Sequence, residues 1–365
     1  MKDTTPTDEK QTGRAWLTTI ALTLGLPVVI ALMLFAFLAP SINSGPKDLP
    51  LAVAGPAAEV VALEQALRSE SPEGFAFERH LDAAGVREAV ENREAIGGIV
   101  VEGPGDATYY TASGNGAPYA ELLGTISAGM QAQGQSAKVV ELAPLTEDDP
   151  GGTGLAMLGL PLAFGGMASA ALVIVLLRGR TAQSLAGLTL ISAVAGLVVA
   201  AILQYGYDSF DTDYLVASLV IAAGIAATSF FVAGLGAFIG IRAIGIGAIL
   251  TIFIANPLSG LTTGWWWLPE PWGAIGQGMP IGAAGHLLRS EAYFDGEGAG
   301  GSWTTLAIWI FMGAALIVGA ALRKRGGNEP APEEPTLEDG DQDAGEETST
   351  RRRLAHTGSA EGRGR

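Results

Sequence analysis

The chain has 365 residues, 48% of them hydrophobic, with no cysteine and a formal net charge of −16. That acidity argues against a nucleic-acid partner, which needs a basic face to neutralise phosphates. The lack of cysteine excludes disulfides, thiol chemistry and cysteine metal sites. His80, His286 and His356 are the only imidazoles and are too scattered for a zinc site, so no metal, cofactor or catalytic residue is expected.

Residues 1–15 are a polar N-terminus. The run Trp16–Leu38 holds no ionisable residue and, at about 1.5 Å per residue, is long enough to cross a hydrocarbon core of about 30 Å. A secretory signal peptide has a shorter apolar region, of about 7–15 residues. Phe37-Leu38-Ala39-Pro40 is also a poor cleavage stretch, so a retained membrane helix is expected. Pro27 removes a backbone hydrogen bond from its middle and should kink it.

Residues 39–152 read as a separate α/β domain, of a size that commonly folds alone. Leu51–Gly55, Phe75–His80, Ile96–Glu102, Ala107–Ala112 and Ala137–Leu142 read as strands. Gly103-Pro104-Gly105 should turn the third strand back on the fourth as a hairpin. Ala57–Ser69, Asp82–Arg93 and Pro118–Gln131 read as helices, the last opened by proline in its first turn. Glu78 with Asp82, or Glu88 with Glu91, have the chemistry of an acid–base pair, but nothing gathers them in a cleft and a solvated face is the expectation. Ser113–Ala117 reads as a plain loop before a helix. Serine-hydrolase and zinc-protease motifs are absent, and no enzymatic activity is expected.

Residues 153–325 carry the remaining apolar runs: Gly154–Leu177, Ala182–Leu203, Leu215–Leu258 and Trp303–Leu322. The third of these has one charge, Arg242, and 44 residues; as a single helix it would be roughly 66 Å long, twice the bilayer core. It must fold back, and Gly240-Ile241-Arg242 is the natural turn. The expected fold class is therefore an α-helical polytopic membrane protein of six spans, with an extracytoplasmic α/β domain inserted between the first and second. Arg178, Arg180, Arg242 and Arg323-Lys324-Arg325 fall on one side of this layout, while the opposite loops hold Asp208, Asp211 and Asp213 and a single base, Arg289. Short basic loops stay cytoplasmic, so both termini are expected inside a cell membrane and residues 39–152 outside.

Small residues populate the spans, including Gly236-x-x-x-Gly240, and serve close helix packing within the chain or between copies. Asn256-Pro257 ends a span or lines a polar path. Loop 259–302 is rich in aromatics and proline: six of the seven tryptophans lie between Trp265 and Trp309. Trp265, Trp266, Trp267, Pro269, Trp272, Pro280 and Arg289 read as an aromatic belt at the lipid interface or, more sharply, as a gate facing an amphipathic or lipid-like cargo. The spans hold no carboxylate, histidine or lysine of the kind ion-driven carriers use, and the chain has no P-loop. A transporter built this way draws power from a separate ATPase. Without such a partner the chain is an anchor or scaffold.

Two stretches carry a family likeness: the helix-then-strand segment from Asp82 to Val101, and Met279-Pro280-Ile-Gly-Ala-Ala-Gly-His-Leu-Leu-Arg289-Ser-Glu-Ala-Tyr-Phe294. With the topology, they make residues 15–325 resemble the ABC type-2 permease superfamily, in its YhgE/Pip-like (phage infection protein) branch. The resemblance implies export, envelope assembly or a phage-related surface role, commonly as a homodimer or heterodimer. It also implies an ATPase coupled through the loop between the second and third spans, which here is only Arg178–Thr181. The alternative it carries is an envelope scaffold or surface receptor whose domain binds a protein or glycan without transport. Residues 326–365, rich in Pro, Glu, Asp and Gly, offer too little apolar surface to offset ordering entropy and are expected to be disordered.

Overall fold

The structure, a computed structural model, describes residues 6–326; nearly all of the acidic tail expected to be disordered lies outside the described residues. Among these, five helices are long and apolar enough to cross a membrane, and a five-stranded mixed sheet forms a domain between the first and second. The chain is thus a membrane-embedded protein by its helices.

The sheet has the order β2-β1-β3-β4-β5, built from β1 (Leu49–Ala54), β2 (Phe75–Arg79), β3 (Gly97–Gly103), β4 (Asp106–Thr111) and β5 (Ser136–Glu141). β1 runs parallel to β2 and β3, β5 parallel to β4, and the expected hairpin makes β3 and β4 antiparallel. Period-two alternation in β1 sends Leu49, Leu51 and Val53 toward α2 (Ala57–Glu70) and α4 (Ala117–Ala132). Ala52 and Ala54 face Val86, Ala89 and Val90 of α3 (Ala83–Glu91) on the opposite side. The domain is therefore a sheet between two helical layers. Asp82 caps α3 by accepting the Gly85 N–H at 3.0 Å. Glu78, Asp82, Glu88 and Glu91 are all exposed.

Glu64 is buried in this domain with a charged partner. Glu64 of α2 accepts bonds from Arg79 Nε and Nη2 at 2.7 and 2.9 Å, pinning β2 to the helix. The Arg79 guanidinium holds the Glu64 carboxyl below the usual carboxylate range.

The membrane part begins with α1 (Pro6–Ile42), which runs through Pro27 and Pro40; nothing in its most apolar window is buried within the chain. The others form a bundle around α8 (Tyr214–Ile239). Against it pack α6 (Gly159–Leu176), which continues the short α5 (Thr153–Met157), and α7 (Thr181–Ala201), extended by a π-helical turn to Gly206. The chain reverses where the sequence indicates. Gly240, at φ +66°, ends α8 and donates to the Gly236 carbonyl at 2.8 Å, and exposed Arg242 opens α9 (Arg242–Ala248).

The returning segment, completed by a π-helical stretch Ile249–Ala255, is shorter than expected. Fourteen residues give about 20 Å, against a core of about 30 Å. The Gly236-x-x-x-Gly240 pair also divides its labour: a Cβ at Gly236 would lie 2.5 Å from the Ile174 side chain of α6, whereas nothing approaches Gly240, which serves the turn. Asn256 follows the π-helix in a turn, its side chain set against Gly159.

The last helix, α12 (Gly300–Gly326), crosses α8 backbone to backbone. A Cβ at Gly234 would come within 2.6 Å of the Gly313 carbonyl oxygen, and one at Gly313 would overlap the Phe230 backbone. Backbone cannot rotate aside as a side chain does. Gly313→Leu is expected to destabilise the bundle by about 1–3 kcal/mol, read as a lowered unfolding midpoint in detergent. For the Glu64–Arg79 pair the folded-state pKa is depressed, so its contribution is present at neutral pH and is lost as pH falls below 4.5 through the folded-state value. Glu64→Gln should therefore lower the domain's stability at pH 7 and flatten its decline between pH 5 and 3, measured by thermal melts across that range.

Candidate functional site: the seam between the sheet domain and loop 259–302

Loop 259–302 builds a layer between the sheet domain and the bundle. After the turn that follows Ala255 come a 3-10 turn at Trp265–Trp267, then α10 (Trp272–Gln277) and α11 (Pro280–Tyr293). Pro280 sits in the first turn of α11, where a missing N–H costs nothing. Ile281, Ala283, Ala284, Leu287 and Leu288 are buried against α6, α8 and α12. A Cβ at Gly224 of α8 would lie 2.6 Å from that of Ala284, so α11 and α8 are in close contact.

The tryptophans named from sequence are drawn apart. Trp266 and Trp267 pack on the sheet domain's core, with their rings 6.5 and 5.7 Å from fully buried Tyr119 in edge-on geometry. The Tyr119 hydroxyl accepts the Trp267 N–H at 3.1 Å, and the Trp267 carbonyl accepts the Gly45 N–H at 3.0 Å. Trp265 lies 4.6 Å from Trp266. Pro269 forms a turn by accepting the Trp272 N–H at 2.8 Å, and Trp272 is 47% exposed. Two of the three consecutive tryptophans thus anchor one domain to the other.

Beside them two arginines cross the seam in opposite directions. Arg289 of α11 donates from Nη1 to the Gly114 carbonyl of the sheet domain at 3.1 Å and from Nη2 to the Leu261 carbonyl. Arg93, just past α3, donates from Nε and Nη2 to Asn115 Oδ1 at 3.3 and 3.2 Å. Its Nη1 reaches α11, donating to the His286 carbonyl at 2.8 Å and Ser290 Oγ at 2.6 Å. The Arg93 guanidinium also lies 5.1 Å from the centre of the Phe294 ring. Arg93 holds φ at +60°, a left-handed conformation that non-glycine residues take only where the surroundings impose it. Of this group the sequence singled out only Arg289. Arg93, Asn115, Tyr119, His286 and Ser290 carry no local signal, since their partners lie up to 197 residues away.

No carboxylate faces either guanidinium: the ion pairs among the described residues involve neither Arg93 nor Arg289. Burial, and then the nearby charge of Arg289, pull Arg93 down to about 9. Burial lowers Arg289 as well and holds His286 well below the usual imidazole value, hence neutral at pH 7. It also raises the Tyr119 hydroxyl, which remains protonated.

Two cavities flank Arg289. One is lined by Arg93, Asn115, Trp265, Gln277, His286 and Arg289. The other is lined by Ser113, Leu145, Gly152, Thr262, Arg289 and Tyr293. Among the described residues no three His, Asp or Glu side chains converge as a metal site requires. What the seam offers is N–H donors and positive charge, the equipment for holding an anion.

Tyr119→Phe keeps the ring and removes only the acceptor of the Trp267 N–H. It is expected to cost about 1 kcal/mol and to redden the tryptophan emission as the Trp266–Trp267 turn loosens. Comparison of the chain with protein-family models, with curated proteins and with solved structures yields no match.

Proposed function

We propose that the chain is a multi-pass protein of the cell membrane, with six membrane-embedded segments, both termini cytoplasmic and residues 39–152 outside. In this reading it is the permease-like subunit of an ABC type-2 exporter, working as a homodimer or heterodimer with a separate ATPase on a lipid-like or amphipathic envelope molecule. The observation that carries the reading is the position of α11, buried against α6, α8 and α12 on one side and hydrogen-bonded to the sheet domain on the other. A shift of the bundle is transmitted to the domain through that contact, as an exporter with an extracytoplasmic module requires. The unpacked sides of α1 are available to lipid, cargo or a second copy. Basic residues at the Arg178–Arg180, Arg242 and Arg323–Arg325 turns support the orientation.

A second reading is favoured by one feature. The connector Arg178–Thr181 offers a docking ATPase only four residues, which suits an envelope scaffold or receptor that works without nucleotide.

Purification from native membranes separates the two. The exporter reading expects a nucleotide-hydrolysing subunit in fixed stoichiometry, with hydrolysis stimulated by envelope lipids; the scaffold reading expects no such subunit and a protein or glycan bound to residues 39–152. The orientation is tested separately, because a chain without cysteine has no background for thiol labelling. A membrane-impermeant maleimide should label Glu121→Cys on intact cells and Gln183→Cys only after lysis.

A further inference from the structure

The crossed arginines are arranged for more than holding two layers together. Two guanidiniums carry ten N–H groups between them, and their bonds to protein acceptors occupy six. Every one of those acceptors is neutral: the carbonyls of Gly114, Leu261 and His286, the Asn115 amide and the Ser290 hydroxyl. Burying a cation costs several kcal/mol unless an opposite charge or a full set of acceptors replaces water, and here two cations line one cavity without either.

The same cavity fixes the kind of counter-charge that fits. The space it leaves is small, so it suits a compact group better than a bulky one. Leu261, Trp265 and Gly285 complete its lining. A phosphate, or a carboxylate with a carbon chain attached, needs more clearance than that. A halide carries no substituent, and its spherical charge accepts N–H donors from two forks at once.

We infer that the cavity between Arg93 and Arg289 is a binding site for a compact halide-sized anion, chloride under ordinary ionic conditions. Bound there, the anion neutralises part of the pair and couples the sheet domain to α11, so the seam is tighter with it than without. This inference is independent of transport: it holds equally for an exporter and for a scaffold.

The test uses the full chain in nanodiscs of zwitterionic lipid, melted at constant ionic strength in sodium chloride, bromide, gluconate or phosphate. Chloride and bromide are expected to raise the unfolding midpoint saturably by about 3 °C or more over gluconate, with phosphate behaving as gluconate. Crystals in bromide should show an anomalous peak between the two guanidiniums. Gln277 lines the same cavity and its Oε1 has no donor. Gln277→Glu therefore places a carboxylate beside the arginines at nearly unchanged shape. That variant should be more stable than the parent in gluconate and should lose the chloride effect.

Arg289→Gln should also lose the effect; if it does not fold, the Gln277 variant and the bromide peak decide. Equal midpoints in chloride and gluconate overturn the inference, as does a chloride effect that survives intact in Gln277→Glu. So does stabilisation by phosphate, or by anionic lipid in place of zwitterionic, without an effect of chloride, which would assign the arginines to phosphate groups.

Discussion

The exchange of arginines between α11 and the sheet domain is the constraint on which the arrangement of the two parts depends. Each guanidinium leaves its own element to bond acceptors on the other: Arg289 at the Gly114 carbonyl, Arg93 at the His286 carbonyl and the Ser290 hydroxyl. Hydrogen bonds of fixed direction give a unique docking geometry that apolar contact alone does not, at a cost in desolvation. The choice of arginine over lysine follows from the same need. A planar fork can serve Asn115 on one edge and α11 on another, while a single ammonium cannot present donors in both directions without losing its place.

The second element of the design is α11 itself. With 14 residues it spans about 21 Å, too short to cross a bilayer, and it is apolar enough to be buried on the bundle side by Ile281, Ala284, Leu287 and Leu288. Small residues bring it close: a Cβ at Gly285 would overlap the Leu261 side chain, and one at Gly282 would overlap the Gly276 carbonyl. Gly224 of α8 also meets Ala284 closely, so α11 is packed tightly on α8 as well as on its own loop. Because the Trp266–Trp267 turn fastens the same loop to Tyr119, the sheet domain and the bundle are joined at two places along one loop, which resists hinge motion about either.

How much of this the sequence discloses depends on the range of the interactions. The five strands and three helices of residues 49–141 are legible because their signals are local: the apolar run Leu51–Gly55, the alternation in Phe75–His80 and the Gly103-Pro104-Gly105 reversal. The turn at Gly240 is legible for the same reason. Length and hydropathy mark the apolar helices; the run through Leu258 carries Asn256-Pro257 near its end, and its helix stops at Ala255, ahead of a turn in which the Leu258 backbone meets Gly276. The seam is illegible. Trp266 reads as an interfacial aromatic until Tyr119, far upstream, is seen to receive it. Arg93 reads as an ordinary charged helix end, and its partners His286 and Ser290 lie 193 and 197 residues away.

The backbone of Arg93 shows how the seam is held together energetically. A left-handed φ of +60° is disfavoured for a residue with a Cβ, by about 1–2 kcal/mol, and glycine would relieve it. Glycine would also remove all four hydrogen bonds that Arg93 makes, two to Asn115 in its own domain and two across to His286 and Ser290. Each is charge-assisted, of a kind that contributes about 1.5–3 kcal/mol, so the bonds outweigh the strain provided α11 is in place to receive them. The strained conformer and the docked α11 therefore stabilise one another. Withdrawing the helix leaves a buried cation without half its acceptors on a backbone that prefers to relax, and the turn after α3 is thus where separation of the two layers would first be felt inside the sheet domain.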